Sequence, residues 1–123
     1  MNKYITFKLL VCRSIAALRR TRNIHQREVA KVIGIAQASY SRREMGKSHY
    51  SIVNLMSITK LFEIDVPHFF LMVQAIEKEL KKINVYIEDE DKIKDKKQLG
   101  FEQLDNLIGV FLMTRDINTT HPT

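Results

Sequence analysis

The 123-residue chain has one cysteine, two prolines, four glycines and no tryptophan. A single Cys12 excludes an intramolecular disulfide and leaves no cysteine cluster for a metal. Scarce glycine and proline disfavour a loop-rich β-sandwich and suit a helical chain. Long apolar runs are missing too: the stretch Leu9 to Leu18 is broken by Arg13 and falls far short of a membrane-spanning helix. Lys3 and Lys8 ahead of Leu9–Cys12 faintly resemble a secretory start with a lipid-modified cysteine, but Arg13 directly after the cysteine argues against it. A cytoplasmic protein with no membrane role is expected. His25, His49, His68 and His121 lack metal-ligand spacing. With no glycine-rich phosphate loop, no Ser-His-Asp arrangement and no carboxylate pair in an apolar cleft, neither catalysis nor a cofactor or metal is expected.

Acidic residues are scarce in one part of the chain only. Met1 to Tyr50 hold 11 Lys/Arg against 2 Asp/Glu, whereas Ser51 to Thr123 hold 9 against 12. The whole positive excess therefore lies in the first 50 residues. Such a patch points to an anionic partner, nucleic acid or a lipid surface. At 45% hydrophobic and 28% charged residues, the composition is that of a globular domain with its own core.

Helical periodicity recurs in short order. A first helix is expected from about Phe7 to Arg22, with Leu9, Cys12, Ala16 and Arg19 along one stripe and Ile15 and Leu18 beside it. Cys12 is expected there as a small buried hydrophobe. Asn23 tolerates the left-handed stop that follows. A second helix is expected from Gln26 to Ile33 before Gly34, and a third from Gln37 to Met45 before Gly46. Ser51 is a natural N-cap for a fourth carrying Ile52, Leu55, Met56, Ile58, Leu61 and Phe62. Pro67 suits the first turn of a fifth, Val66 to about Lys82. Val85 to Ile87 reads as a short extended segment, and residues 88–98 as a charged, solvated linker. A last helix, Phe101 to Met113, bears a rich apolar face, and Asn118 to Thr123 is expected to fray.

Two short helices separated by Gly34 form a helix-turn-helix pattern. Gly34, with the small Ala30 and Ala36, is expected to let them cross closely, so that the second projects into a DNA major groove. Its outward positions are Gln37, Ala38, Ser41 and Arg42, none acidic, and Gln37 and Arg42 suit bidentate contacts with bases. Gln26, Arg27, Arg43, Lys47, Ser48 and Tyr50 are placed for phosphate contacts. His49, Arg13, Arg20 and Arg22 are further candidates for the phosphate-facing side.

From Ile15 to Phe70 the sequence resembles the Cro and phage-repressor type of helix-turn-helix regulators, the xenobiotic-response-element family. The resemblance rests on LRRTRNIHQREVAKVIGIAQASYSRREMGK (Leu18 to Lys47) and the run from Ser51 that follows it. It implies a structural ion pair between Arg19 and Glu44, a phosphate contact from Gln26, and base reading by Gln37, Ala38 and Arg42. Four positions depart from the pattern. Arg43 replaces an apolar residue, and Met45 stands where a polar residue is common and is expected to fill the core. His25 replaces the usual Ser or Thr cap, and Tyr50 replaces a proline.

The expected fold is therefore all-α: a five-helix lambda-repressor-like DNA-binding domain over residues 1–70, with a C-terminal helical dimerisation extension over 71–123. A homodimer on a palindromic operator of double-stranded DNA is expected, because one such unit reads only a half-site. Val73, Ile76, Leu80, Leu104, Leu107, Ile108, Phe111 and Leu112 are the expected dimerisation residues, and a cut after about Lys82 is expected to leave a folded domain. The alternative is an antitoxin-like module, whose C-terminal region covers a partner protein while DNA binding autoregulates its operon.

Overall fold

The computed structural model describes residues 1–114. Helix α1 (Phe7–Thr21) begins where the Thr6 hydroxyl accepts the Leu9 N–H at 3.1 Å. Every residue from Leu10 to Arg19 is buried. A helix covered all round is a central one, and the other elements are laid around it. Helix α2 (Gln26–Ile33) and helix α3 (Gln37–Glu44) pack on each other, and α3 leans on α1. Helix α4 (Ile52–Leu61) is capped by Ser51, whose hydroxyl accepts the Asn54 N–H, and it closes over α2. Helix α5 (Val66–Lys82) starts at Asp65, with Pro67 in its first turn.

Positive φ ends the successive helices. Asn23, Glu63 and Asn84 take φ near 60° after α1, α4 and α5, and Gly34 and Gly46 take 76° and 82° after α2 and α3. At Gly34 the backbone angle alone requires glycine, because a Cβ there would meet nothing within 4 Å. The expectation that Gly34 allows close helix approach is thus corrected. At Gly46 both reasons hold, since a Cβ would lie 3.0 Å from Leu9 Cδ1.

Beyond α5 the chain returns to the start of the molecule. Strand β1 (Lys3–Ile5) pairs in parallel with strand β2 (Val85–Ile87), in the register Lys3–Val85, Tyr4–Tyr86 and Ile5–Ile87. On its other edge, Tyr4 accepts the Leu99 N–H and donates to the Lys97 carbonyl. Among the described residues this two-stranded ribbon is an addition to an otherwise helical fold of six α-helices; the segment at Val85 was expected and its partner was not. The stretch 88–98 is more than a solvated linker, because a 3₁₀ turn at Ile93–Asp95 buries Ile93. Helix α6 (Phe101–Thr114) then lies along α1. The expected fraying of Asn118 to Thr123 concerns residues outside those described.

One core runs from Ile5 to Leu112, so position 70 does not divide the packing into two units. Of the expected dimerisation residues, Val73, Ile76, Leu80, Leu104, Ile108, Phe111 and Leu112 are buried in the chain's own interior, and only Leu107 is half-exposed. The rich apolar face of α6 packs within the chain, largely on α1. A cut after Lys82 would strip that cover from α1. Within a single core, Ile108→Ala is expected to cost about 2–5 kcal/mol. Urea unfolding followed by circular dichroism should show one transition shifted as a whole, with no separate melting of the region before residue 70.

Candidate nucleic-acid interface

Helix α3 buries only Tyr40 and Glu44. Their four-residue spacing turns one narrow stripe inward and leaves Gln37, Ala38 and Arg42 exposed and Ser41 half-exposed on the outer side. Neither α2 nor α3 has a capping side chain: His25 and Ala36 occupy the cap positions and make no such bond. The first N–H groups of both helices therefore lack a protein side-chain partner at the cap, the arrangement that suits an anion. Exposed Arg27, Arg42 and Lys47 add positive charge around them.

Below this surface lies a buried polar cluster. Arg19 Nε donates to Glu44 Oε2 at 2.7 Å and Arg19 Nη2 to Oε1 at 3.1 Å, a bidentate pair. Arg19 Nη1 also reaches the Ile24 carbonyl at 2.9 Å, which ties the turn before α2 to the same guanidinium. Gln26 Nε2 donates to Glu44 Oε1 at 2.9 Å. Burial works to raise the Glu44 pKa, but the hydrogen bonds from Arg19 and Gln26 and the Arg19 charge outweigh it and hold the carboxyl below its ordinary range. Burial also raises the phenol pKa values of Tyr40 and Tyr50, which pack edge to face with ring centroids 6.3 Å apart. Cys12 sits close by, its thiol pushed up by burial to about 11 and its Sγ 3.9 Å from the Ser48 carbonyl, so it stays a thiol at neutral pH.

The structure sorts the phosphate candidates. Arg27 and Lys47 are open to solvent, and Ser48 is half-exposed. Gln26 sits at the start of α2 with its amide held by Glu44, so its position is fixed from behind. Arg43 is half-buried and donates to Asn54 Oδ1 at 2.7 Å, which fastens α3 to α4. Met45, expected in the core, is exposed instead, one residue past the buried Glu44. Tyr50 needs correction: its hydroxyl is buried and turned from solvent, so the ring supports the loop from inside. Arg13 and Arg22 are corrected as well. Arg22 Nε donates to the Phe62 carbonyl at the end of α4. Arg13 is buried, and its guanidinium binds Asp105 of α6 through Nε and Nη2 at 2.8 and 2.9 Å. Of Arg13, Arg20 and Arg22, the first is buried, the second exposed and the third half-buried.

Sequence reasoning missed Asp105 and Phe101, the partners of Arg13. The signal for them was an arginine inside an apolar run, which asks for a buried counter-charge. Among the described residues no group of three or more His, Cys, Asp or Glu is placed to hold a metal, and no helix is long and apolar enough to cross a membrane.

Residues 15–69 match a family model described as helix-turn-helix, which covers α2 and α3 together with the C-terminal end of α1, all of α4 and the start of α5. Over that stretch the chain is similar to helix-turn-helix domains, which supports a DNA-binding role. No curated protein and no solved structure matches the chain significantly.

The Arg19–Glu44 pair sets a pH dependence. A carboxyl whose folded pKa is depressed contributes stability above its unfolded value, near pH 4, and that contribution is lost as pH falls through the folded value. Glu44→Gln leaves the Arg19 charge buried without its counter-ion and is expected to cost about 3–5 kcal/mol at pH 7. Acid titration of the two proteins should show the gap narrowing below about pH 4.

Proposed function

Taking the helix-turn-helix domain over residues 15–69 as premise, we propose that the protein is a transcriptional regulator that binds a palindromic operator as a homodimer. The observation that carries this reading is the outer face of α3. It has no carboxylate, it presents Gln37, Ala38, Ser41 and Arg42, and it is fixed from behind by Glu44. Gln37 and Arg42 are the base readers. Arg27, Arg43, Lys47 and Ser48 contact phosphates around them, and Gln26 is aimed by Glu44 at the start of α2. One half-site offers too few contacts for useful specificity, so a two-fold pair of subunits is part of the reading.

The surface left for a second subunit is the end of α5 against α6. A groove of about 250 Å³ there has Ile76, Leu80 and Phe111 among its lining, with exposed Ile83 and Val110 and half-exposed Leu107. The second reading is the antitoxin-like module, favoured by one further observation. Ile52, Val53 and Met56 of α4 stand exposed beside another groove, of about 630 Å³, lined also by Ile64, Val66 and Pro67. That is more uncovered apolar surface than a dimer through α5 and α6 would use. A second chain that co-purifies stoichiometrically with the protein would favour the module; a lone dimer would favour the regulator.

Selection of bound duplexes from a random pool tests the main reading, and an inverted repeat is the expected result. On the selected duplex, Arg42→Ala is expected to cost about 1–3 kcal/mol and relax preference at one base pair. An unchanged preference would remove Arg42 from the base readers. Lys47→Ala should weaken binding to all sequences alike and lower the slope of log K against log salt by about one, as read from titrations at several salt concentrations.

A further inference from the structure

Glu44 is the last residue of α3, and its carbonyl is one of those that helix geometry leaves without an intrahelical donor. That carbonyl accepts Arg13 Nη1 at 2.8 Å, in a buried contact. The remaining face and edge of the same guanidinium are occupied by α6: Asp105 takes Nε and Nη2, and the Phe101 ring lies 4.3 Å from the guanidinium carbon. A planar guanidinium clamped on one edge by a carboxylate and on one face by an aromatic ring has no freedom to turn its third nitrogen away. Asp105 and Phe101 thus decide where Arg13 points, and Arg13 decides where the end of α3 is held.

We infer that Arg13, Asp105 and Phe101 are positioning residues for the recognition helix, through which α6 sets the angle of α3 on DNA. The reason is geometric. Arg19 and Gln26 grip the Glu44 side chain and Arg43 ties α3 to Asn54 of α4, whereas the backbone at the end of α3 is reached by Arg13. Arg13 lies six residues before Arg19 on α1, which places it about 9 Å away along that axis. The two arginines converge on the last residue of α3, one at its side chain and one at its backbone, so Arg13 adds a hold on the helix end that the side-chain pair does not give. All three residues lie outside the 15–69 match, so the device belongs to this chain's additions to the domain. The inference rests on the DNA-binding reading for its functional consequence and on the structure alone for its mechanical one.

The test uses the full-length chain with Asp105→Ala, Asp105→Asn and, as a purely structural control, Val85→Ala in the β1–β2 ribbon. The first readout is the ratio of affinities for the pool-selected duplex and for a scrambled duplex. The second is the amide resonance of Met45, whose N–H shares a peptide group with the Glu44 carbonyl. Asp105→Ala is expected to lower the ratio about 2- to 30-fold and to move the Met45 resonance, with Asp105→Asn intermediate. Val85→Ala should lower Tm and leave both readouts in place. If Asp105→Ala does not fold, Asp105→Asn carries the comparison. A folded Asp105 variant with unchanged ratio and unmoved Met45, or a Val85→Ala protein that shifts both equally, overturns the proposal. Should the wild-type chain select no DNA, the functional reading fails, and the Met45 resonance still decides whether α6 positions α3.

Discussion

Glu44 is held by both of its ends, and the recognition surface depends on that. Its carboxylate is gripped by Arg19 and Gln26, and its carbonyl by Arg13. Helix α3 has eight residues, no capping side chain and only two buried side chains. A helix that short is marginal by itself in water, so α3 exists and points as it does because of what holds it. A buried ion pair adds little net stability over a well-packed apolar replacement. What Arg19 and Glu44 supply is direction: the pair ties the end of α3 to α1, and through Arg19 Nη1 and Gln26 it ties the start of α2 to the same point.

Burial of α1 on all sides follows from the same arrangement. Helices α3, α5 and α6 all pack on α1, and the β1–β2 ribbon joins the start of the chain to the end of α5. The C-terminal half therefore completes the domain that the first half begins, and its apolar face is spent largely inside the protomer. On the proposed dimeric reading, the surface open to a second copy is the exposed rim at Ile83, Leu107 and Val110 and not the buried row beneath it.

Local chemistry explains which features were legible in the sequence. Helix α2 and helix α5 keep their expected bounds because Gly34 and Pro67 punctuate the chain where backbone geometry demands it. The Arg19–Glu44 pair was legible through family resemblance, and its geometry is now explicit. β1 was not legible, because three residues are too few for an alternation to show. The amphipathic pattern of α6 said that one face is covered and not by what, so α1 and a second subunit looked alike. Tyr50 and Arg13 misled for a common reason. A hydroxyl or a guanidinium beside basic residues reads as surface, and only the packing shows that Tyr40 buries the one and α6 the other.

The charge asymmetry changes meaning once those positions are placed. Arg13, Arg19 and Arg22 belong to the basic segment but work inside the fold, and Lys8 meets Glu90 of the acidic segment at 3.1 Å. The two segments are thus interlocked, with Asp105 and Glu90 reaching back to neutralise part of the basic half. What remains exposed is a smaller set that includes Arg20, Arg27, Lys31, Arg42 and Lys47. Mobile ions screen exposed charges strongly and buried pairs weakly. Salt therefore screens these exposed charges while the buried frame behind α3 stays intact, and on the proposed reading DNA affinity would vary with ionic strength without loosening α3.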